Sequence, residues 1–235
     1  MNLILDIGNT RGKSALFENR ELVQQDSFSV DKDKITQIIE QHQGKIILSS
    51  VVEINFLVNP PTNHNLMVLS HKTPIPIKNS YQSPETLGND RLANAVAIST
   101  NSKSGNALSI DCGTCLKFDL LINNEYLGGS ISPGLQMRFK ALHTFTDKLP
   151  LIEPKEFEQL NGMNTQDSIL SGCYRGMLAE IKQTMADYES QFGKLDIYLT
   201  GGDHLFFANH LKNCIFADPF LTLKGLNEIL LFQNT

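Results

Sequence analysis

Leu3-Ile4-Leu5-Asp6-Ile7-Gly8-Asn9-Thr10-Arg11-Gly12-Lys13 opens the chain, and the rest is organised around it. Leu3-Ile4-Leu5 reads as a short buried strand with an aspartate at its end. Gly8, Asn9 and Gly12 are turn formers, and Ser14-Ala15-Leu16-Phe17 starts a second apolar strand. A turn rich in Gly, Asn and Thr can aim several backbone N–H groups into one concavity, a nest that suits phosphate oxygens. Asp6 at the rim suits a hydrated divalent cation accompanying those phosphates. The alternative for this stretch alone is an ordinary hairpin with a polar tip.

The pattern recurs. Leu108-Ser109-Ile110 runs into Asp111-Cys112-Gly113-Thr114, and Leu116 to Ile122 reads as the following strand. Asp6 matches Asp111, Gly8 matches Gly113 and Asn9 matches Thr114. Two halves that each open on Asp-x-Gly-[Asn/Thr] predict an α/β protein of two related domains, with a nucleotide held in the cleft between them. The turn-rich Asn101 to Asn106 is the best boundary, giving domains of residues 1–103 and 104–235.

The 235 residues suffice for one large domain or two small ones. An apolar content of 41% and a charged content of 19% are those of a soluble globular chain. The net charge of -5 argues against nucleic acid or an acidic membrane as partner. No basic n-region precedes the first strand and no apolar run approaches the ~20 residues of a membrane span, so the expected location is cytoplasmic. Cys112 and Cys115 have the C-x-x-C spacing of metal or redox sites, but no second pair exists, and Cys173 and Cys214 are isolated. Structural thiols are the favoured reading. The six histidines have no ligand-like spacing.

Along the first half, Glu21 to Val30 completes an antiparallel meander. Asp31 caps a helix with Ile35, Ile38 and Ile39 on one face. Lys45 to Val51 reads as a buried parallel strand and Asn65 to Ser70 as another. Three strands, then helix, strand, helix, strand is the half-domain of the actin-like ATPase fold. A proline-rich loop around Tyr81 leads to a helix from Arg91 onward, with Gly88 and Asn89 as lead-in. Asp90 lies at its N-terminus, where a carboxylate is favoured, and a plain N-cap is the alternative to a functional role. In the second half, strands at 116–122 and 126–132 precede a helix from Leu135 to Phe145. Thr165 precedes a long helix with Ile169, Tyr174, Met177, Leu178 and Ile181 as its apolar stripe, read as core or subunit contact. Leu195 to Leu199 is a strand ending in Thr200-Gly201-Gly202. That double glycine lets backbone approach either an adenosine or a tight strand-to-helix turn. Phe220 to Phe232 reads as a closing helix.

Five motifs in register, Asp6-x-Gly-Asn-Thr-x-x-Lys13, Gly88-x-Asp-Arg-x-Ala-Asn94, Asp111-x-Gly-Thr114, Gly129-x-Ile-x-Pro-Gly134 and Thr200-Gly-Gly202, closely resemble type III pantothenate kinase over nearly the whole chain. The resemblance implies two actin-like (ribonuclease H-like) domains, a homodimer, and ATP-dependent phosphorylation of pantothenate to 4′-phosphopantothenate, the first step towards coenzyme A. It implies Mg2+ or another divalent cation with ATP, and K+ or NH4+ as activator. By position, Asp6, Ile7, Gly8, Asn9, Thr10, Arg11, Gly12, Lys13 and Thr114 would bind ATP. Asp6 would hold the divalent cation through water, and Asp111 the monovalent one. Tyr81, Gly88, Asn89, Asp90, Arg91 and Thr165 would contact pantothenate, with Asp90 as general base. Phosphoryl transfer needs positioning, cations across the phosphates and a carboxylate to accept a hydroxyl proton, and these residues supply candidates for all three.

The chain departs from the family pattern at Cys115 and Lys117, where Ala and Thr are usual, and at Asn89, where Ala is usual. Two rival functions remain at this level: an accessory factor in transcription, as some relatives of the family are, and an actin-like kinase for another small alcohol. The intact Asp90 and both turns favour the enzyme, and pantothenate-dependent ATP turnover separates the three.

Overall fold

A computed structural model describes residues 1–8, 11–51, 65–211 and 215–233. The chain forms two compact units. The first contains Met1–Asn101, Asn124–Tyr126 and Phe220–Thr235; the second contains Ser102–Asn123 and Leu127–Pro219.

In the first unit, β1 (Asn2–Ile7), β2 (Arg11–Glu18) and β3 (Glu21–Ser29) form the antiparallel meander expected. β4 (Ile46–Ser50) then lies parallel to β1 on its other side, and β5 (Leu66–Val68) lies parallel to β4, for the order β3-β2-β1-β4-β5. The central strands read as near-continuous apolar runs because both faces are covered. α1 (Lys32–Gln41), whose N-cap Asp31 accepts from the Lys34 N–H, seals one face with Ile35 and Ile39 against Leu3, Leu5, Ile46 and Leu48. α2 (Asn89–Asn101) and α7 (Leu221–Phe232) pack together, with Gly225 against the Ala93 backbone. α7 is tied further into this unit by polar contacts. Asn2 Nδ2 donates to Asn227 Oδ1 at 2.9 Å, Asn227 Nδ2 donates to the Asn19 carbonyl at 2.7 Å, and Thr222 Oγ1 donates to Asn94 Oδ1 at 2.8 Å. The closing helix of the chain thus completes the core of the first unit rather than the second.

The second unit repeats the plan. β7 (Ala107–Cys112) pairs antiparallel with β8 (Cys115–Ile122) and parallel with β10 (Asp196–Thr200), which pairs parallel with β11 (Ile215–Ala217). β9 (Glu125–Pro133) follows β8 in the sheet. Its first residues, Glu125 and Tyr126, belong to the first unit and pair with β6 (Lys78–Asn79).

The Thr165 helix runs as one helical path that carries a π-type turn. α4 (Thr165–Leu170) passes through a π-type turn, Ser171–Arg175, before α5 (Gly176–Phe192). Its apolar stripe is core: Ile169, Tyr174, Met177 and Ile181 are buried against Leu108, Ile110, Phe118 and Leu199, with Leu178 packed at the edge. Burial of such side chains contributes roughly 1.5–3 kcal/mol each. α3 (Leu135–Thr144) and α6 (His204–Ala208) complete the unit.

Candidate active site

Each unit places its aspartate in the same structural position. Asp6, at the C-terminal end of β1, lies opposite Lys13 on antiparallel β2 and Ser49 on parallel β4. Asp111, at the C-terminal end of β7, lies opposite Lys117 on antiparallel β8 and Thr200 on parallel β10. The carboxyl ends of parallel strands are where open α/β sheets bind ligands. The recurrence noticed in the sequence is therefore a recurrence of strand register as well.

In the first unit, Ser49 is fully buried and its Oγ donates to Asp6 Oδ1 at 3.0 Å, which fixes the half-exposed carboxylate. The Gly8 N–H donates to the Arg11 carbonyl at 3.0 Å, closing the turn. Gly12 is required by packing, since a Cβ there would lie 2.5 Å from the Phe28 ring. Arg11 and Lys13 are exposed, so two cations and a carboxylate flank the turn, a donor set that fits polyphosphate with a hydrated divalent cation. Asn9 and Thr10 lie outside the described residues. Ile7 does not present its side chain for binding: it is 1% exposed in the core, and its carbonyl accepts from the Val51 N–H. Only its backbone remains suited to a nucleotide.

The substrate candidates of the first unit cluster at the start of α2. The helix begins at Asn89, so Asp90 stands in its first turn rather than at the N-cap. Its Oδ1 accepts from the Arg91 N–H at 2.9 Å. A Cβ on Gly88 would lie 2.6 Å from that same oxygen, so glycine is what admits the carboxylate there. Asn89 Nδ2 donates to the Leu69 carbonyl at 3.3 Å, which gives this departure from the family pattern a structural use. Arg91 is buried, with its guanidinium carbon 5.7 Å from the Tyr81 ring centroid, a cation–π contact. Tyr81 stacks on Tyr126 with centroids 6.2 Å apart. Arg91 therefore orients Tyr81 as well as standing beside Asp90. Thr165, the remaining substrate candidate, is exposed at the first position of α4 in the second unit, after the capping Asn164.

In the second unit, the Gly113 N–H donates to the Cys115 carbonyl at 3.2 Å and the Gly134 N–H to the Thr114 carbonyl at 3.2 Å, leaving the Thr114 side chain exposed. Gly134, the N-cap of α3, is pressed so closely on this turn that a Cβ would lie 2.3 Å from the Gly113 carbonyl oxygen. Gly201, at φ +90°, has the same relation to Cys112, 2.3 Å from its carbonyl carbon. The first glycine of Thr200-Gly201-Gly202 thus serves a tight internal approach, whereas Gly202 borders open space. Cys112 is buried, and burial with the nearby Asp111 and Asp203 carboxylates pushes its thiol far above the ordinary range. Cys112, Cys115 and Cys173 are free thiols, Cys214 lies outside the described residues, and no His/Cys/Asp/Glu group able to hold a metal is found among the described residues.

Lys117 is the functional candidate that the sequence reading passed over. Its Nζ donates to Asp111 Oδ2 at 2.7 Å, and the two side chains are only 13% and 10% exposed. Removing one partner of such a pair strands a buried charge at a cost of about 3–5 kcal/mol. The signal was available in the hairpin: the short turn at Gly113-Thr114 sets Cys112 opposite Leu116 and hence Asp111 opposite Lys117. This arrangement does not fit the monovalent cation expected at Asp111. The carboxylate is already neutralised, and a second unit positive charge about 4 Å from the ammonium is repelled by roughly 4 kcal/mol at an effective dielectric of ~20.

Two repeats of a meander with parallel strands beyond it, each ending in an aspartate-glycine turn, define the actin-like ATPase and sugar-kinase class. The solved structures agree. A Campylobacter jejuni protein assigned to the Baf family of transcriptional activators superposes with a TM-score of 0.67 at 24% identity, covering 99% of this chain and 98% of that one. A ROK family glucokinase from Streptomyces griseus, in complex with glucose and AMPPNP, does so with a TM-score of 0.51 at 11% identity, covering 98% of each chain. At these identities the likeness is one of fold. The sequence comparisons are more specific. The type III pantothenate kinase family pattern matches residues 2–187, and the type III pantothenate kinase of Christiangramia forsetii is 44% identical over the full length of both chains. The chain belongs to the type III pantothenate kinase family.

Proposed function

We propose that this chain transfers the γ-phosphoryl group of ATP to pantothenate, giving 4′-phosphopantothenate and ADP at the start of coenzyme A synthesis. The observation that carries the reading is full-length membership in the kinase family, together with both Asp-x-Gly turns at the carboxyl ends of parallel strands. In this reading the turn after β1, with Arg11 and Lys13, holds the ATP phosphates, and Thr114 contributes from the second unit. Asp6, oriented by Ser49, holds a divalent cation through water; that ion offsets charge on the phosphates when bound. Tyr81, Gly88, Asn89, Arg91 and Thr165 contact pantothenate. Asp90 accepts the proton of the pantothenate hydroxyl as its oxygen attacks phosphorus. A loose transition state asks little basicity of it until late in the transfer.

The working form is a cytoplasmic homodimer, tested by light scattering at micromolar concentration. No helix among the described residues is long and apolar enough to cross a membrane. The function is tested by ADP release with and without pantothenate, with the product identified by mass spectrometry. Pantothenate-dependent ADP release is expected. ATP turnover indifferent to pantothenate, or none at all, would refute the reading.

A further inference from the structure

We propose that Lys117 supplies from within the chain the positive charge that Asp111 would otherwise take from a monovalent cation, so that this kinase works without K+ or NH4+. The inference rests on the kinase reading above.

Three observations carry it. First, the Lys117 ammonium is in contact with Asp111 Oδ2 at 2.7 Å, both side chains being largely withdrawn from solvent. A carboxylate so paired offers an incoming cation little net charge. Second, the pairing is set by backbone register, because Asp111 and Lys117 are direct cross-strand partners in β7 and β8. Cβ atoms of such partners lie about 4.5–5.5 Å apart, so the contact does not depend on a chance rotamer of an exposed lysine. Third, the other carboxylate oxygen lies beside two glycines that have no room for a side chain. A Cβ on Gly113 would lie 2.9 Å from Asp111 Oδ1, and one on Gly201 2.5 Å from it. Glycine is thus needed at both positions to leave room for that oxygen. The first unit offers the same register relation between Asp6 and Lys13, so the chain sets a lysine opposite the aspartate in both halves. A tethered ammonium has the charge of K+ and the hydrogen-bonding character of NH4+, with three donors in place of a coordination shell.

The test compares the parent chain with Lys117→Thr and Lys117→Met. Pantothenate-dependent ADP release is measured in potassium, ammonium, sodium and tetramethylammonium chloride at one ionic strength. The thermal midpoint is measured in the same four salts without substrates. The parent is expected to have rates within about twofold across the salts and a midpoint that does not distinguish them. Lys117→Thr should lose at least tenfold in sodium and recover part of that loss in potassium or ammonium, with a midpoint that rises selectively in those two. Lys117→Met, which cannot ligate a cation, should lose activity without recovery. A parent rate more than tenfold higher in potassium than in sodium would overturn the proposal, as would a parent midpoint raised selectively by potassium. The midpoint arm needs no turnover. A chain that turns over nothing in any salt therefore refutes the kinase reading, while its midpoints still decide the role of Lys117.

Discussion

Replacing Gly225 by alanine tests how α7 controls the helix that bears the proposed base. A Cβ at Gly225 would lie 1.8 Å from the Ala93 carbonyl oxygen and 2.6 Å from its carbon. Contacts between carbon and a carbonyl oxygen settle at about 3.3–3.6 Å, so α7 and α2 must separate by roughly 1.5 Å. The obstacle is backbone, and no rotamer change relieves it. Overpacking of this kind costs about 1–3 kcal/mol, which for a chain of this size lowers the thermal midpoint by roughly 2–12 °C. Ala93 is one helical turn from Asp90, so the displacement reaches the proposed base. Misplacing a reacting group by ~1 Å costs on the order of 10²-fold in rate. Gly225→Ala is therefore expected to lower both the midpoint, by scanning fluorimetry, and kcat/KM, by coupled ADP release. A midpoint within 1 °C of the parent, together with unchanged kinetics, would refute the claimed approach of the two helices (thresholds of about this size being the reproducibility of such scans, small beside the shift predicted).

Three further outcomes are expected. Asp90→Asn should lower kcat by roughly 10²–10⁴-fold with little change in ATP binding or thermal midpoint, since the residue is not the cap of α2; near-normal turnover of the folded variant would remove it from catalysis. Gly88→Ala should lower kcat/KM by displacing the Asp90 carboxylate, and Gly88→Ala combined with Asp90→Asn should be little worse than Asp90→Asn alone, as a double-mutant cycle would reveal. Burial raises the Asp203 carboxyl above its ordinary range, so the folded chain binds that proton more tightly than the unfolded one, and stability falls as pH rises from the ordinary aspartate range through the folded value. Asp203→Asn should therefore raise the thermal midpoint at pH 7 and converge on the parent near pH 4 (about the ordinary aspartate value), and a pH-independent difference would rule out this origin.

Local chemistry made much of the fold legible. Gly8, Gly12 and Gly113 mark turns by residue type alone, and Asp31 marks a helix start through a bond three residues away. The two Asp-x-Gly turns could thus be found and matched from sequence. What escaped was set by partners distant along the chain. The stripe on α4 and α5, read as core or subunit contact, is decided for core only by Leu108, Phe118 and Leu199 against it. Gly201 looks equally suited to a ligand until it is seen that a Cβ there would lie 2.3 Å from the Cys112 carbonyl carbon. The Asp111–Lys117 pair stood between these cases. Its six-residue separation across a short turn was readable as hairpin register, yet its burial depends on β10 and on Gly201.

In synthesis α7 emerges after every other element described above. Until Phe220 to Phe232 emerge, the face of α2 that carries Ala93 and Asn94 has no Gly225 or Thr222 to meet it, and Asn2 lacks Asn227. The half synthesised first is therefore the half completed last, while the residues of the second unit can close their own core beforehand. Domains generally fold as they emerge, N-terminal first; here the core of the first unit is incomplete until α7 has been made. A nascent chain that stalls or is clipped before Phe220 carries every proposed binding residue and still lacks the support of the helix bearing Asp90. In the proposed reading, catalysis that needs Asp90 in place thus depends on the twelve residues of α7.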